Sequence, residues 1–319
     1  MQEKKRGRTH SRWLLPAALV LAGAAWFENF TLSTSTVTAA CAALPEAFSG
    51  LRIVQISDLH GRRFDAESRY LLELVRLQSP DLIALTGDLA DEFTDFSMLP
   101  PLLDGLTALA PTFYVTGNHE WVLSREKREA LFSMLDVAGV VRLQNEYRLL
   151  KKGQASIVLA GVDDPNGPYD QKRPAQLVRE IRQSRGRDAY ILMLSHRNDE
   201  LDLWANMGVQ TVLCGHGHGG IVRLPFVGAV FGTHLDLFPD YTAGLYRKGQ
   251  TSMIVSRGLG GSRKLPLRIG TRPEIVTACA GSRCAGRRRW QSAGRSQSCR
   301  RCRQSSGQSA HRSISCSGK

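Results

Sequence analysis

Short polar clusters stand directly after apolar segments at five places in the sequence, and they contain side chains of the types that bind metal ions. The clusters occupy residues 57–60, 86–88, 116–120, 195–196 and 214–218. In the last cluster, His216 and His218 are flanked by glycines on both sides. Glycine lets the backbone approach a ligand closely, so this cluster predicts a binding site rather than two histidines of a core.

The clusters supply seven candidate metal ligands of two chemical kinds, three with oxygen donors and four with imidazole donors. They are Asp58, His60, Asp88, Asn118, His196, His216 and His218. Such a proportion of histidine suits Zn, Mn or Fe and is too high for Ca or Mg alone. The sequence therefore predicts a site for one or two divalent metal ions.

Six apolar segments, five of which precede the clusters, have the pattern of strands buried on both faces, because they are short and do not alternate with polar residues. They occupy residues 52–56, 82–85, 112–115, 156–159, 189–194 and 210–213. Helical patterns lie between them, at residues 67–78, 124–138, 173–184 and 199–207. This alternation predicts an α/β sheet. Ligands of such sheets bind at the carboxyl ends of the strands, so we expect the clusters to converge.

The net charge of +13 is concentrated at the two ends of the chain. Residues 278–319 contain nine Arg and one Lys with no Asp or Glu, and residues 1–13 contain five basic residues and one acid. The part between them is close to neutral, so it has no basic footprint for a nucleic-acid backbone. We therefore expect no nucleic-acid partner.

The N-terminal segment has the pattern of an export signal. Basic residues 1–12 precede an apolar run at residues 13–27, as in a secretory signal. The run serves either as an uncleaved signal anchor or as a cleaved signal, and we favour the anchor. The basic flank predicts a cytoplasmic N-terminus, with the protein attached to the membrane and the rest of the chain outside the cytoplasm.

The C-terminal segment, residues 278–319, changes abruptly to a composition rich in Arg, Ser, Gly and Cys. It lacks the apolar residues needed for a core, which predicts disorder. A shift of reading frame is our preferred explanation; a zinc site and an electrostatic contact with anionic polymer or lipid are alternatives. The predicted organisation is therefore a basic N-terminus, anchor and linker at residues 1–45, a domain at 46–277 and the tail.

In order along the chain, the motifs Asp58-x-His60, Gly87-Asp88-x-x-Asp91, Gly117-Asn118-His119-Glu120, His196 and Gly215-His216-x-His218 resemble those of the calcineurin-like metallophosphoesterase superfamily. Finer features, such as Pro239-Asp240-Tyr241 and Ser256-Arg257-Gly258, are similar to its bacterial membrane-anchored, cell-wall-associated branch. The resemblance implies a four-layer α/β/β/α sandwich with two divalent metals at the mouth between two sheets.

The resemblance also implies a role for each candidate ligand. Asp58, His60 and His218 would bind the first metal, Asn118, His196 and His216 the second, and Asp88 would bridge both. Asp91 would hydrogen-bond His119 and orient it. A hydroxide bridging two such metals attacks phosphorus in line, and His119 would donate a proton to the leaving oxygen or stabilise its charge. Arg197 and Arg223 are candidates for contacts with phosphate oxygens or for surface ion pairs.

The predicted activity is hydrolysis of a phosphoester, by a phosphodiesterase or a phosphatase, with lipid-linked and cell-wall-linked phosphoesters as candidate substrates. A first alternative is a pyrophosphatase of the UDP-2,3-diacylglucosamine type, acting on a lipid-linked nucleotide sugar. A second alternative, from another class, is a metal-bearing scaffold without catalysis. The oligomeric state is left open by the sequence.

Overall fold

The computed structural model describes residues 11–233, 235–261, 268–281 and 315–317. The helices are α1 (Ser11–Phe30), α2 (Arg69–Leu77), α3 (Leu99–Leu109), α4 (Asn118–Val122), α5 (Arg125–Val137), α6 (Pro174–Arg185) and α7 (Leu201–Asn206), with short 3-10 helices at Glu46–Phe48 and Phe96–Met98. The strands are β1 (Ser33–Ala39), β2 (Leu51–Ile56), β3 (Leu82–Thr86), β4 (Thr112–Val115), β5 (Val141–Arg142), β6 (Glu146–Lys152), β7 (Ala155–Gly161), β8 (Ile191–Leu194), β9 (Thr211–Cys214), β10 (Val222–Leu224), β11 (Gly228–Phe231), β12 (Gly244–Lys248), β13 (Thr251–Val255), β14 (Glu274–Ala280) and β15 (Ser315–Ser317).

These strands form two large sheets and one hairpin. The first sheet has the order β1-β14-β2-β3-β4-β5, and the second has the order β12-β13-β9-β8-β7-β6-β15. The centres of both sheets are parallel, since β2, β3 and β4 run together and so do β7, β8 and β9. The hairpin pairs β10 with β11. Parallel strands carry their C-terminal loops to one edge, which positions the polar clusters.

Three apolar cores separate the layers. Alternate residues of β2 show the division: Val54 and Ile56 pack towards the helices α2, α3 and α5, whereas Leu51 and Ile53 pack between the two sheets. A third core lies between the second sheet and the helices α6 and α7, around the fully buried Trp204. The fold is thus mixed α/β, with its layers in the predicted order of helices, sheet, sheet and helices.

The predicted strands and helices of the central region agree well with the structure, but the domain extends beyond the predicted limits of 46 and 277. β1 begins at Ser33 and pairs along its whole length with β14, which continues to Ala280. Ala278, Cys279 and Ala280 are buried, because β14 lies between β1 and β2 in the first sheet. The predicted linker and the first residues of the predicted tail are therefore parts of the sheet.

The apolar run of the N-terminus lies in α1. Within the described ranges, no helix combines the length and the apolar character that crossing a membrane requires. Apart from β15, the predicted disordered tail beyond Gly281 lies outside the described residues.

Candidate metal centre

The five polar clusters meet at one edge of the sandwich, where the carboxyl ends of the two sheets face each other. The loops after β2, β3 and β4 carry Asp58, His60, Asp88 and Asn118 from the first sheet. The loops after β8 and β9 carry the other three histidines from the second sheet. Gln55 connects the sheets directly below the site, because its Nε2 donates to the carbonyl of Cys214 at 2.8 Å. The sequence-predicted residues are thus brought together.

The first group of side chains contains Asp58, His60 and His218, whose potential ligand atoms all lie within 4.8 Å of one another. His218 Nε2 is 3.7 Å from Asp58 Oδ1, and the rings of His60 and His218 are stacked at 5.1 Å. Both ring nitrogens of His60, and Nδ1 of His218, are buried without a hydrogen-bond partner among the described residues. Such buried nitrogens are costly unless a ligand satisfies them.

The second group converges on Nε2 of His196. Asp88 Oδ2, Asn118 Oδ1 and His216 Nδ1 each lie 3.2 Å from this nitrogen. On the other side of the ring, Nδ1 is 2.8 Å from the carbonyl oxygen of Thr86. Since a carbonyl only accepts hydrogen bonds, this contact places a proton on Nδ1 and directs Nε2 at the cluster. The ring is therefore oriented as a metal ligand would be.

Asp88 belongs to both groups. Its Oδ2 is 3.2 Å from His196 Nε2 and 3.7 Å from His60 Nε2, and the side chain is buried. Burial opposes the charged form, but His196 and other histidines hold the pKa of Asp88 below its usual range. This carboxylate is therefore an anion placed where two cations would share it.

The electrostatics and the donor set both fit divalent metal ions. Although burial lowers it, the charge of Asp88 raises the pKa of His196 to about 10, so positive charge is strongly favoured between the two groups. Burial, with His196 next, lowers the pKa of His216 to about 2, and burial lowers that of His218 to about 4. These two imidazoles are thus neutral at neutral pH, which is the form that binds a metal.

The backbone at the site is held in a conformation that most residues avoid. Five candidate ligands have positive φ: Asp58 (51°), His60 (49°), Asp88 (54°), His216 (65°) and His218 (50°). A left-handed conformation costs a non-glycine residue about 1–2 kcal/mol, and such residues concentrate at functional sites. The rest of the fold holds five candidate ligands in this unfavourable backbone conformation. The geometry of the site is therefore imposed by the surrounding structure and not by the local preference of the backbone.

Glycines allow the ligand loops to lie against each other. A Cβ atom at Gly117 would overlap Oδ1 of Asp88, and one at Gly215 would overlap the side chains of Ser57 and Asp58. Loops from different strands therefore reach the centre only where these positions lack a side chain. The glycines of the motifs thus have a packing role in addition to their conformational freedom.

Glu120 ties two of the ligand loops together, a role that the sequence alone did not reveal. Its buried carboxylate accepts hydrogen bonds from the backbone N–H groups of Gly117 (2.7 Å), Asp88 (3.0 Å) and Leu89 (2.7 Å). Burial, followed by the nearby Asp88, raises the pKa of Glu120 to about 7. In the sequence, Glu120 is recognisable only as the last residue of the motif Gly117-Asn118-His119-Glu120. The motif does not reveal which groups the carboxylate binds.

Arg197 is held beside the second group by a buried partner. Asp164 accepts from Arg197 Nε at 2.6 Å and from Nη2 at 3.1 Å, while Nη1 lies 3.1 Å from His216 Nε2. Asp164 lies in the loop after β7, and its side chain fixes the guanidinium at the rim of the site. Arg223 lies apart from this pair, with Nη1 donating to Thr242 Oγ1 at 3.1 Å.

The structure places the carboxylate of Asp91 against His60, whereas the sequence predicted a hydrogen bond with His119. Asp91 Oδ2 lies 3.6 Å from His60 Nδ1, and Oδ1 accepts from Phe93 N and Thr94 Oγ1 at 3.0 Å each. The turn that these bonds form aims Asp91 at the candidate ligand His60. His119 packs edge-on against the ring of His60 at 4.7 Å, and its backbone N–H donates to Asp88 Oδ1 at 2.8 Å. Asp91 is therefore placed to orient His60.

We predict that Glu120→Gln destabilises the domain and weakens its affinity for metal. An amide has one acceptor oxygen and presents N–H donors to backbone N–H groups, so at least one buried donor loses its partner at a cost of about 1–3 kcal/mol. Thermal unfolding and metal titration measure the two effects. Glu126→Gln, on the exposed face of α5, is the control; equal behaviour of the two variants would contradict the tethering role.

Comparison with known proteins agrees with this geometry. The sequence model of the family "Calcineurin-like phosphoesterase" matches residues 51–220. Phosphodiesterase YaeI from Escherichia coli (strain K12) is 31% identical over 230 residues, which are 70% of this chain and 80% of that protein. The uncharacterized metallophosphoesterase YkuE from Bacillus subtilis (strain 168) is 30% identical over 261 residues, 79% of this chain and 87% of that protein.

Among solved structures, the protein TT1561 of Thermus thermophilus aligns with a TM-score of 0.43 and 14% identity, covering 66% of this chain and 92% of that one.

A scaffold without catalysis is not favoured, because each of the seven candidate ligand positions carries a residue able to bind metal, and the seven lie around one centre. The family match and the similarity to YaeI and YkuE show that the chain belongs to the calcineurin-like phosphoesterase family and is a hydrolase of phosphoesters.

Proposed function

We propose that this domain hydrolyses phosphodiesters with two divalent metal ions of the Mn, Zn or Fe type. The position of Asp88 carries the proposal: one buried carboxylate stands between two groups of ligand atoms. In the proposed site, Asp58, His60 and His218 would hold one ion, Asn118, His196 and His216 would hold the other, and Asp88 would contribute to both. When bound, such ions supply hydroxide at neutral pH and stabilise negative charge on the phosphoryl oxygens.

The chain's own residues position the phosphate and assist the leaving group. Arg197 offers Nη1 beside His216, while Asp164 keeps the guanidinium from rotating away. We assign to this nitrogen a hydrogen bond with a phosphate oxygen of the substrate. His119, at the side of His60, either donates a proton to the leaving oxygen or stabilises its developing charge by a hydrogen bond.

A phosphodiester is the substrate class best supported by similarity. YaeI, which is 31% identical over 70% of this chain, is named a phosphodiesterase. We propose the same class here and leave the groups on either side of the phosphate undefined. Phosphodiester substrates carry one negative charge on the phosphate, which the two metals and Arg197 together would neutralise.

We also propose that the domain lies outside the cytoplasm in association with the membrane. The basic flank and the apolar run of the N-terminus support this location. A reporter enzyme fused after Lys248, in the turn between β12 and β13, reports its side of the membrane. A reporter that is active only in the cytoplasm and shows activity at that fusion point would contradict the proposal.

We predict that His216→Ala removes hydrolysis while leaving the protein folded. The substitution deletes a ligand of the second ion, so the metal content falls and Asp88 loses half of its compensating charge. Turnover of bis-p-nitrophenyl phosphate and metal analysis of the purified protein measure the effect, with Arg247→Ala, at the exposed end of β12, as control. Retained turnover in a fully metal-loaded His216→Ala protein would contradict the mechanism.

A second prediction concerns His119→Gln. If His119 assists departure of the leaving oxygen, its loss lowers kcat by roughly 10²-fold for alkyl diesters, whose leaving groups are poor. The loss is much smaller for p-nitrophenyl diesters, because their leaving group needs little assistance. The slope of log kcat against leaving-group pKa measures the difference, with metal content checked in parallel. An unchanged slope would assign His119 to positioning of His60 instead.

A further inference from the structure

Exposed apolar side chains gather beside the metal centre, on two segments that are far apart in the sequence. Trp26, Phe27 and Phe30 at the end of α1 are each roughly half exposed or more. Phe226 and Val227, at the tip of the β10–β11 hairpin, are fully exposed and 59% exposed. Monomeric proteins seldom expose such side chains together without a binding role.

The two segments form one continuous surface, which we call the apolar patch. A cavity between them is lined by Glu28 of α1 and by hairpin residues from Arg223 to Gly228. Asn29 fixes the end of α1 to the domain, since its side chain accepts from Arg268 N at 2.7 Å and donates to Arg268 O at 3.1 Å. Ile269, which is 45% exposed, follows on from this contact and bridges to Val222 of the hairpin.

Three arginines lie in the patch, whose lining also includes the acidic Glu28. The guanidinium of Arg272 lies 4.3 Å from the centre of the Phe27 ring, and that of Arg62 lies 5.8 Å from the centre of the Phe30 ring. Arg223 lies on the hairpin. In the described part of the chain, none of these three arginines has a carboxylate in ion-pair distance. Long basic side chains among exposed aromatics match an anionic headgroup layer over hydrocarbon.

We propose that the apolar patch docks on an anionic lipid bilayer. A second copy of the chain fits the patch less well, because a two-fold interface places the same surface against itself and would set three arginines against three, with only Glu28 of the cavity lining to offset them.

Docking places the metal centre close to the membrane surface. The hairpin begins at Val222, only four positions after His218, and Arg268 donates to the carbonyl of His218 at 3.4 Å. Substrates presented by the bilayer would therefore meet the site without leaving the interface. This docking is independent of the proposed reaction, since none of the patch side chains is a candidate ligand.

The test uses the full chain and vesicles of phosphatidylcholine with phosphatidylglycerol. The double variant Phe226→Ser/Val227→Ser keeps the basic N-terminus, so it isolates the hairpin. We expect its partition coefficient into vesicles to fall about tenfold, as lost apolar burial requires. Its turnover of soluble bis-p-nitrophenyl phosphate should stay unchanged, which shows that it is folded. Trp26→Ser, on α1, should weaken binding in the same way.

The matched control is Val137→Ser/Tyr169→Ser, which removes two equally exposed apolar side chains outside the patch. It should bind vesicles like the unmodified chain. Equal vesicle binding by the patch variant and the control would overturn the proposal. So would a change from dimer to monomer in sedimentation velocity with vesicle binding retained, because that result assigns the patch to a second copy.

Discussion

The structure depends on one electrostatic constraint, the need for positive charge on both sides of the buried Asp88 carboxylate. Oδ2 faces an imidazole of each ligand group, at 3.2 Å and 3.7 Å. A buried charge is tolerated only when it is paired or bound to metal. The raised pKa of His196 and the lowered pKa of Asp88 both reflect this requirement for positive charge beside the carboxylate. Two divalent cations would satisfy it more completely than protons.

Much of the surrounding structure can be understood as support for that arrangement. Loops from two sheets approach within contact distance, at positions where Gly117 and Gly215 leave room. Glu120 holds the backbone around Asp88 from below, and Asp164 holds Arg197 at the rim. The left-handed conformations of several ligands cost free energy, and the three apolar cores offset that cost. Rigid strands thus present a strained site with little freedom to relax.

The sequence predicted the centre of the fold well, because strands buried on both faces give uninterrupted apolar runs and five of the six runs ended in a ligand cluster. Prediction failed at the sheet edge. β1 is rich in Ser and Thr and has several half-exposed positions, so it lacks the apolar pattern that predicts a buried strand. The extent of β14 is set by its pairing with β1 and β2. Likewise, the partners of Asp91, Glu120 and Asp164 are set by loop geometry that spacing along the chain does not encode.

The central claim is that Asp88 bridges two metal ions, and anomalous X-ray diffraction from crystals of the manganese-loaded protein tests it most directly. The account predicts two anomalous peaks about 3.5–4 Å apart, with Asp88 coordinating both and three further ligands completing each protein coordination sphere. A single peak, or two peaks of which only one contacts Asp88, would contradict it.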